Sequence, residues 1–156
     1  MSDTDFIRRA IDLAIENVRL ARGGPFGAVI VHDGVVIAEG ANLVTHRHDP
    51  TAHAEIVAIR EACHIRQSFE LRDCTIYSSC EPCPMCLGAI YWARLDRLVF
   101  ASTRDDAAEA GFDDSFIYQQ VPLAPGARSL PTTNLLRDEG ARAFQAWLQS
   151  PGRVAY

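Results

Sequence analysis

Residues 79–94 read Ser-Cys-Glu-Pro-Cys-Pro-Met-Cys-Leu-Gly-Ala-Ile-Tyr-Trp-Ala-Arg. The apolar run Cys74 to Ser79 before it predicts a short strand, and a helix is predicted from about Pro84 to Arg94. The cysteines therefore sit at an elbow where a strand hands over to a helix. In layered α/β sheets, ligands gather at the carboxyl ends of strands, where helices begin. Cys83 and Cys86 are three apart, so on a helix their sulfurs share one face about 5–6 Å apart. That separation suits two thiolates on one tetrahedral zinc, and a helix N-terminus favours thiolate over thiol.

Upstream, Asp49-Pro50-Thr51 offers a helix start with proline in the first turn, and a helix is predicted from about Ala52 to Cys63. His53 and Glu55 lie two apart, and mid-helix they would point to nearly opposite sides. At the first turn both can serve a site off the helix end. His53 then supplies a third ligand, leaving an open fourth position of the catalytic kind. Glu55, near the metal without binding it, is the candidate to move the proton of an activated water. One zinc ion per chain is expected.

Around these two helix starts the chain alternates. Phe6, Ile7, Ala10, Ile11, Ala14, Ile15 and Val18 recur at helical spacing behind the cap candidates Ser2, Asp3 and Thr4. Gly23-Gly24-Pro25 stops that helix. Phe26 to His32 and Val35 to Ala41 read as a hairpin turning at Asp33-Gly34. His46 to Asp49 reads as a polar loop and Leu98 to Ser102 as a strand. Leu130 to Leu135 reads as a fifth strand and Ala141 to Gln149 as a last helix, while 107–118 is ambiguous. The expectation is a three-layer α/β/α sandwich with a mixed five-stranded sheet that opens with an antiparallel hairpin. No linker or repeat interrupts residues 1–156, which are read as a single domain.

Composition excludes several chemistries. All 15 basic residues are arginine, so no lysine amine is present for a Schiff base, a pyridoxal-phosphate linkage or a P-loop. Twenty acidic residues give a formal net charge of −5, which argues against a nucleic-acid partner. No charged-then-apolar leader and no long apolar span is seen, which argues against a membrane partner. Five cysteines, three of them within seven positions, read as metal ligation in a reducing cytoplasm rather than a disulfide set. Cys63 and Cys74 read as core residues.

His53-Ala54-Glu55 followed by Pro82-Cys83-Pro84-Met85-Cys86 is the H-x-E … P-C-x-x-C pattern of zinc deaminases. At these residues the chain resembles the cytidine and nucleobase deaminase superfamily. Residues 79–94, Asp106 to Tyr118 and a chain ending on tyrosine are similar to the small bacterial guanine deaminases. The resemblance implies a cytidine deaminase-like fold and hydrolysis of guanine to xanthine and ammonia in purine catabolism. It implies attack at C2 by zinc-activated water, with Glu55 shuttling the proton. It further implies substrate contacts from Asn42, Asp114, Tyr156, Phe26 and the backbone of Ala54; by residue type, Phe26 or Trp92 offers a stacking face. A homodimer is implied too, in which the tail from about 140 to 156 is exchanged.

Other readings compete with this one. Cys80 joining Cys83, Cys86 and His53 would close a structural Cys₃His site and make the chain a non-catalytic zinc module. A different aminated heterocycle, cytosine or ammeline, would fit the same chemistry. A tRNA adenosine deaminase shares the zinc pattern but needs a basic surface to hold RNA.

Overall fold

Phe6, Ala10 and Ala14 recur every four residues and form the buried stripe of α1 (Asp3–Arg19). A computed structural model describes residues 1–156. Ser2 caps α1, its hydroxyl accepting from the Asp5 amide while the Asp5 carboxylate accepts from the Ser2 amide. This reciprocal pairing satisfies two donors that a helix start would otherwise leave bare. Ile15 and Val18, expected on the core face, are exposed.

β1 (Gly27–His32) is apolar almost throughout because it is covered on both sides. Alternate residues of a strand face opposite ways. Val29 and Val31 meet Phe6, Ala10 and Tyr77 under α1. Ala28 and Ile30 meet Ala54, Ala58 and Ala62 of α3 (Ala54–Arg66) and Ile90 of α4 (Pro84–Trp92). β2 (Val35–Ala41) pairs antiparallel with β1, Gly27 facing Ala41 and His32 facing Val35. β3 (Cys74–Cys80) lies antiparallel on the other side of β1, and β4 (Arg97–Ser102) runs parallel to β3 with α4 between them in sequence. The order is β2-β1-β3-β4, a mixed sheet between two helical layers.

The sheet has four strands, not five. The segment Leu130-Pro-Thr-Thr-Asn-Leu135 pairs with nothing. Pro131 has no N–H to donate to a ladder, and Leu130 and Leu135 are both exposed. Two boundaries also differ from expectation. The polar stretch before Asp49 holds a short helix, α2 (Val44–Arg47), ended by His48 in the left-handed region. The next helix begins only at Ala54, because the Asp49 carboxylate accepts from both the amide and the hydroxyl of Thr51 and folds the intervening residues into a turn.

Side chains distant in sequence tie the layers together. Asp3 accepts from the Tyr77 hydroxyl at 2.6 Å and from the Arg97 guanidinium at 2.5 Å, fixing the start of α1 to β3 and β4. Arg9 forks onto Glu39 of β2 at 2.7 and 2.6 Å. No helix is long and apolar enough to cross a membrane.

The chain divides into two compact units, Met1–Asp114 and Ser115–Tyr156. The first ends after α5 (Arg104–Glu109). The second contains α6 (Ser115–Gln120), a 3₁₀ turn at Pro125–Ala127 and α7 (Arg137–Gln149). Within it, the Ser129 amide donates to the Gln120 side chain at 2.8 Å and Arg128 to the Leu123 carbonyl at 3.1 Å. Phe144, Trp147 and Leu148 of α7 are exposed.

Candidate metal centre and active site

Two helices begin on residues that do no capping. His53 is the N-cap of α3 and Cys83 the N-cap of α4, both with extended backbone and neither with a side-chain hydrogen bond into its helix. N-caps are ordinarily Ser, Thr, Asp or Asn, whose oxygen accepts from the first turn. Here the side chains turn outward and toward each other. Pro84 occupies the first turn of α4, where its missing N–H costs nothing and its fixed φ suits a helix. Cys86, one residue past Met85, comes round to the same side as Cys83.

His53 Nδ1 lies 3.6 Å from Cys83 Sγ and 3.5 Å from Cys86 Sγ, and the three donor atoms all lie within 4.8 Å of one another. Tetrahedral zinc with bonds of about 2.3 Å to sulfur and about 2.05 Å to nitrogen separates S from N by about 3.5 Å. The donor set therefore fits zinc in both chemistry and spacing, with a fourth position left over.

The electrostatics agree with thiolate ligation. Cys83 is lowered to about 4, first because the Cys86 thiol donates to it and then because His53 does. Cys86 is pushed the other way, by that same donation and by burial. Cys83 is thus the sulfur these surroundings favour as thiolate, and a bound zinc would take both sulfurs as thiolates. His53 is raised, chiefly by its bond to Cys83.

Cys80 stands apart from this group. At the end of β3 its thiol donates to the Thr103 carbonyl at 3.5 Å, and burial pushes it up to about 11. It is absent from the ligand cluster. A closed Cys₃His site is thereby overturned: the strand end carries Cys80 toward Thr103, at the far end of β4.

Glu55, one residue into α3, is only 6% exposed. Burial raises its carboxyl above the usual range, and the Cys83 charge adds to this. The Ser78 hydroxyl donates to it at 3.4 Å, and the Cys86 thiol is a second hydrogen-bond partner. The Ala54 amide opens the same helix turn, where the first N–H groups have no intrahelical acceptor. The seat of this turn is Gly40 on β2. A Cβ there would stand 2.1 Å from the Ala54 carbonyl oxygen and 2.6 Å from the Ala58 nitrogen. Only glycine lets α3 lie this close to the sheet.

The other anticipated residues distribute unevenly. Asn42 follows β2 and is 6% exposed, its Oδ1 accepting from the Gly24 and Val44 amides. Phe26 packs edge-on against Phe112 with centroids 5.0 Å apart. The Asp114 carboxyl is raised by burial first and then by the Cys83 charge. Trp92 closes the opposite end of α4, about 13 Å along the axis from Cys83 at 1.5 Å per residue. It is 63% exposed, with the Arg94 guanidinium 5.9 Å from its ring. Within one chain the ring that Phe26 packs against is Phe112. Tyr156 belongs to the second unit and is exposed.

Three residues of this region escape a sequence reading. Phe112 had a faint signal, since Gly111 at φ +92° breaks the chain after α5 just before it. Ser78 and Asn17 had none, because a serine in a strand and an asparagine in a helix carry no pattern.

Residues 1–102 match the family model of the cytidine and deoxycytidylate deaminase zinc-binding region. The chain is 51% identical to the guanine deaminase of Bacillus subtilis over 156 residues, covering all of both chains. The X-ray structure of that enzyme superposes with a TM-score of 0.98 over 100% of this chain and 99% of the other. A tRNA-specific adenosine deaminase of Haemophilus influenzae is 43% identical over 130 residues, 80% of this chain and 75% of that one. The guanine deaminase of Nitrosomonas europaea is 32% identical, with a TM-score of 0.67 over 90% of this chain and 81% of the other. With this match over the helices and strands that carry His53, Glu55, Cys83 and Cys86, the chain belongs to the cytidine and deoxycytidylate deaminase zinc-binding family.

Proposed function

We propose that the chain is a zinc-dependent aminohydrolase that converts guanine and water to xanthine and ammonia, a step of purine catabolism. The observation that carries this is the three-ligand donor set with the buried Glu55 carboxylate beside it. The full-length identity to a guanine deaminase supports guanine as the base. Zinc held by His53, Cys83 and Cys86 supplies a water acidic enough to act as a nucleophile near neutral pH. Glu55 accepts the proton that the water loses at its attack on C2. It passes that proton to a ring nitrogen, then takes the remaining proton of the attacking oxygen and hands it to the departing amine, so the new carbonyl forms as ammonia leaves and the carboxylate ends as it began. Its burial suits Glu55 to hold a proton in transit.

Asn42 and Asp114 address the hydrogen-bonding edge of the base. Asn42 has both hydrogens of Nδ2 to offer, and a carboxylate accepts from the N–H groups that guanine presents. Phe26, braced by Phe112, gives the ring a face to pack on. The Ala54 amide lies beside the reacting amine. Tyr156 closes over the site, contributed by the tail from about 140 to 156 exchanged between two copies in a homodimer. The exposed Phe144, Trp147 and Leu148 support this, since a helix face of that kind is ordinarily covered. Five unpaired thiols agree with a cytoplasmic setting.

An ammonia-release screen of the zinc-loaded protein over guanine, adenine, cytosine, their nucleosides and ammeline tests the reading. Guanine is expected to give the dominant signal. Release from cytosine or ammeline with none from guanine would keep the chemistry and overturn the substrate. No release from any of them would overturn both.

A further inference from the structure

Asn17 is a buried polar side chain on the inner face of α1, 3% exposed. Its Nδ2 donates twice, to the Gly24 carbonyl at 2.9 Å and to the Asn42 carbonyl at 2.8 Å. Its Oδ1 is buried with no partner. The amide orientation is forced, since both facing groups are acceptors and only the NH₂ end can serve them. A buried acceptor left unmet works against folding. Its persistence calls for a reason beyond stability.

The two carbonyls belong to one lattice. The Gly24 carbonyl also accepts from the Phe26 amide at 2.9 Å, the Gly24 amide donates to Asn42 Oδ1 at 3.2 Å, and the Asn42 amide donates to the Phe26 carbonyl at 3.1 Å. The Val44 amide takes the second lone pair of Asn42 Oδ1 at 3.3 Å. Asn42 is thus held by its oxygen and its backbone, and only its NH₂ is left to meet a ligand. From outside these two segments, Asn17 reaches both, at Gly24 before Phe26 and at Asn42.

We propose that Asn17 is a positioning residue for guanine binding. Its NH₂ locks the loop Gly24–Phe26 to the end of β2, setting the aim of Asn42 and the placing of the Phe26 ring. This rests on the role given to Asn42 above. An apolar side chain of similar size fills the space but removes the donor the two carbonyls share, leaving the loop tied to the strand end only by the Gly24 amide on Asn42 Oδ1 and the Asn42 amide on the Phe26 carbonyl.

Steady-state kinetics with guanine on the zinc-loaded protein test this, using wild type, Asn17→Leu, Asn42→Ala and the double variant. Zinc content and thermal unfolding are measured alongside. Asn17→Leu is expected to keep its zinc and raise KM about tenfold, with kcat changed by less than threefold. In the Asn42→Ala background the same substitution should raise KM by no more than about threefold, because coupled residues do not add. Asn17→Ser, which keeps one donor, should fall between wild type and Asn17→Leu, and it carries the comparison if Asn17→Leu does not fold. If Asn42→Ala raises KM while the Asn17 variants leave it within twofold, the Asn17 proposal fails alone. If Asn42→Ala leaves KM unchanged, the role of Asn42 fails and takes this proposal with it. Equal KM effects of Asn17→Leu with and without Asn42 would also overturn it, since Asn17 would then act elsewhere.

Discussion

The Ser78 hydroxyl on β3 donates to the Glu55 carboxylate at 3.4 Å, joining the strand that leads to one half of the metal site to the helix that opens the other. Both residues are buried, so water competes little for either group. Ser78→Ala removes this donor without disturbing the ligand set. Turnover of guanine should fall three- to tenfold, matching a typical hydrogen bond of about 1 kcal/mol, with zinc content unchanged. A stopped-time ammonia assay beside metal analysis reads both.

Glu55→Gln keeps the volume and the partner while abolishing the proton shuttle. The variant should bind zinc as wild type does and lose kcat by two orders of magnitude or more, the usual contribution of a general acid–base group. Undiminished ammonia release would exclude Glu55 as the shuttle.

Cys80 and Cys86 are separated by six positions and should behave oppositely. Cys86→Ser removes one of three ligands and should leave the purified protein with little zinc. Cys80→Ser only exchanges one donor to the Thr103 carbonyl for another, and zinc should stay near one per chain. Metal analysis after gel filtration decides this.

Gly40→Ala asks whether the seat of α3 matters to the metal. The new methyl meets backbone atoms at 2.1 and 2.6 Å, so the helix start must lift. Overpacking of this kind costs about 1–3 kcal/mol, and a domain of this size responds with a fall in Tm of roughly 2–4 °C per kcal/mol. Zinc should be lost to a competing chelator at lower chelator concentration than in wild type, since His53 sits at the displaced turn.

Tyr77 gives the alkaline side of the stability profile a definite shape. Its phenol is pushed up to about 12, by burial first and then by the Asp3 carboxylate it donates to. A group raised in the folded state adds stability that is complete below its unfolded value, about 10. That stability drains as pH climbs through the folded value. Unfolding midpoints should therefore drop between about pH 10 and about pH 12, and Tyr77→Phe should flatten that limb. A drop of equal size in Tyr77→Phe would assign it to another group.

The metal site was legible in the sequence because its rules are local. Cys-x-x-Cys at a helix start fixes two sulfurs by helical geometry alone, and His-x-Glu at another start has one workable arrangement. The strands β1 to β4 were legible for the same reason, each being a short apolar run between turn residues. The fifth strand failed because an apolar residue at each end of 130–135 imitates a strand. Pairing depends on a neighbour, and Pro131 is a poor one.

The tertiary structure alone decided what depends on residues far apart in the chain. Nothing in positions 78 and 55 says that they meet, and Asn17 looks like any polar residue on a helix until two carbonyls close around it. Cys80 had the residue type and spacing of a ligand and was excluded by the direction in which β3 delivers it, toward Thr103 and away from His53. The sequence by itself picked out the three residues whose donor atoms gather, because Cys-x-x-Cys and a histidine at helix starts carry their own geometry. The partners that hold those atoms in place come from the packing of α1, α3 and the sheet, because hydrogen bonds between distant segments leave no periodic trace in the chain.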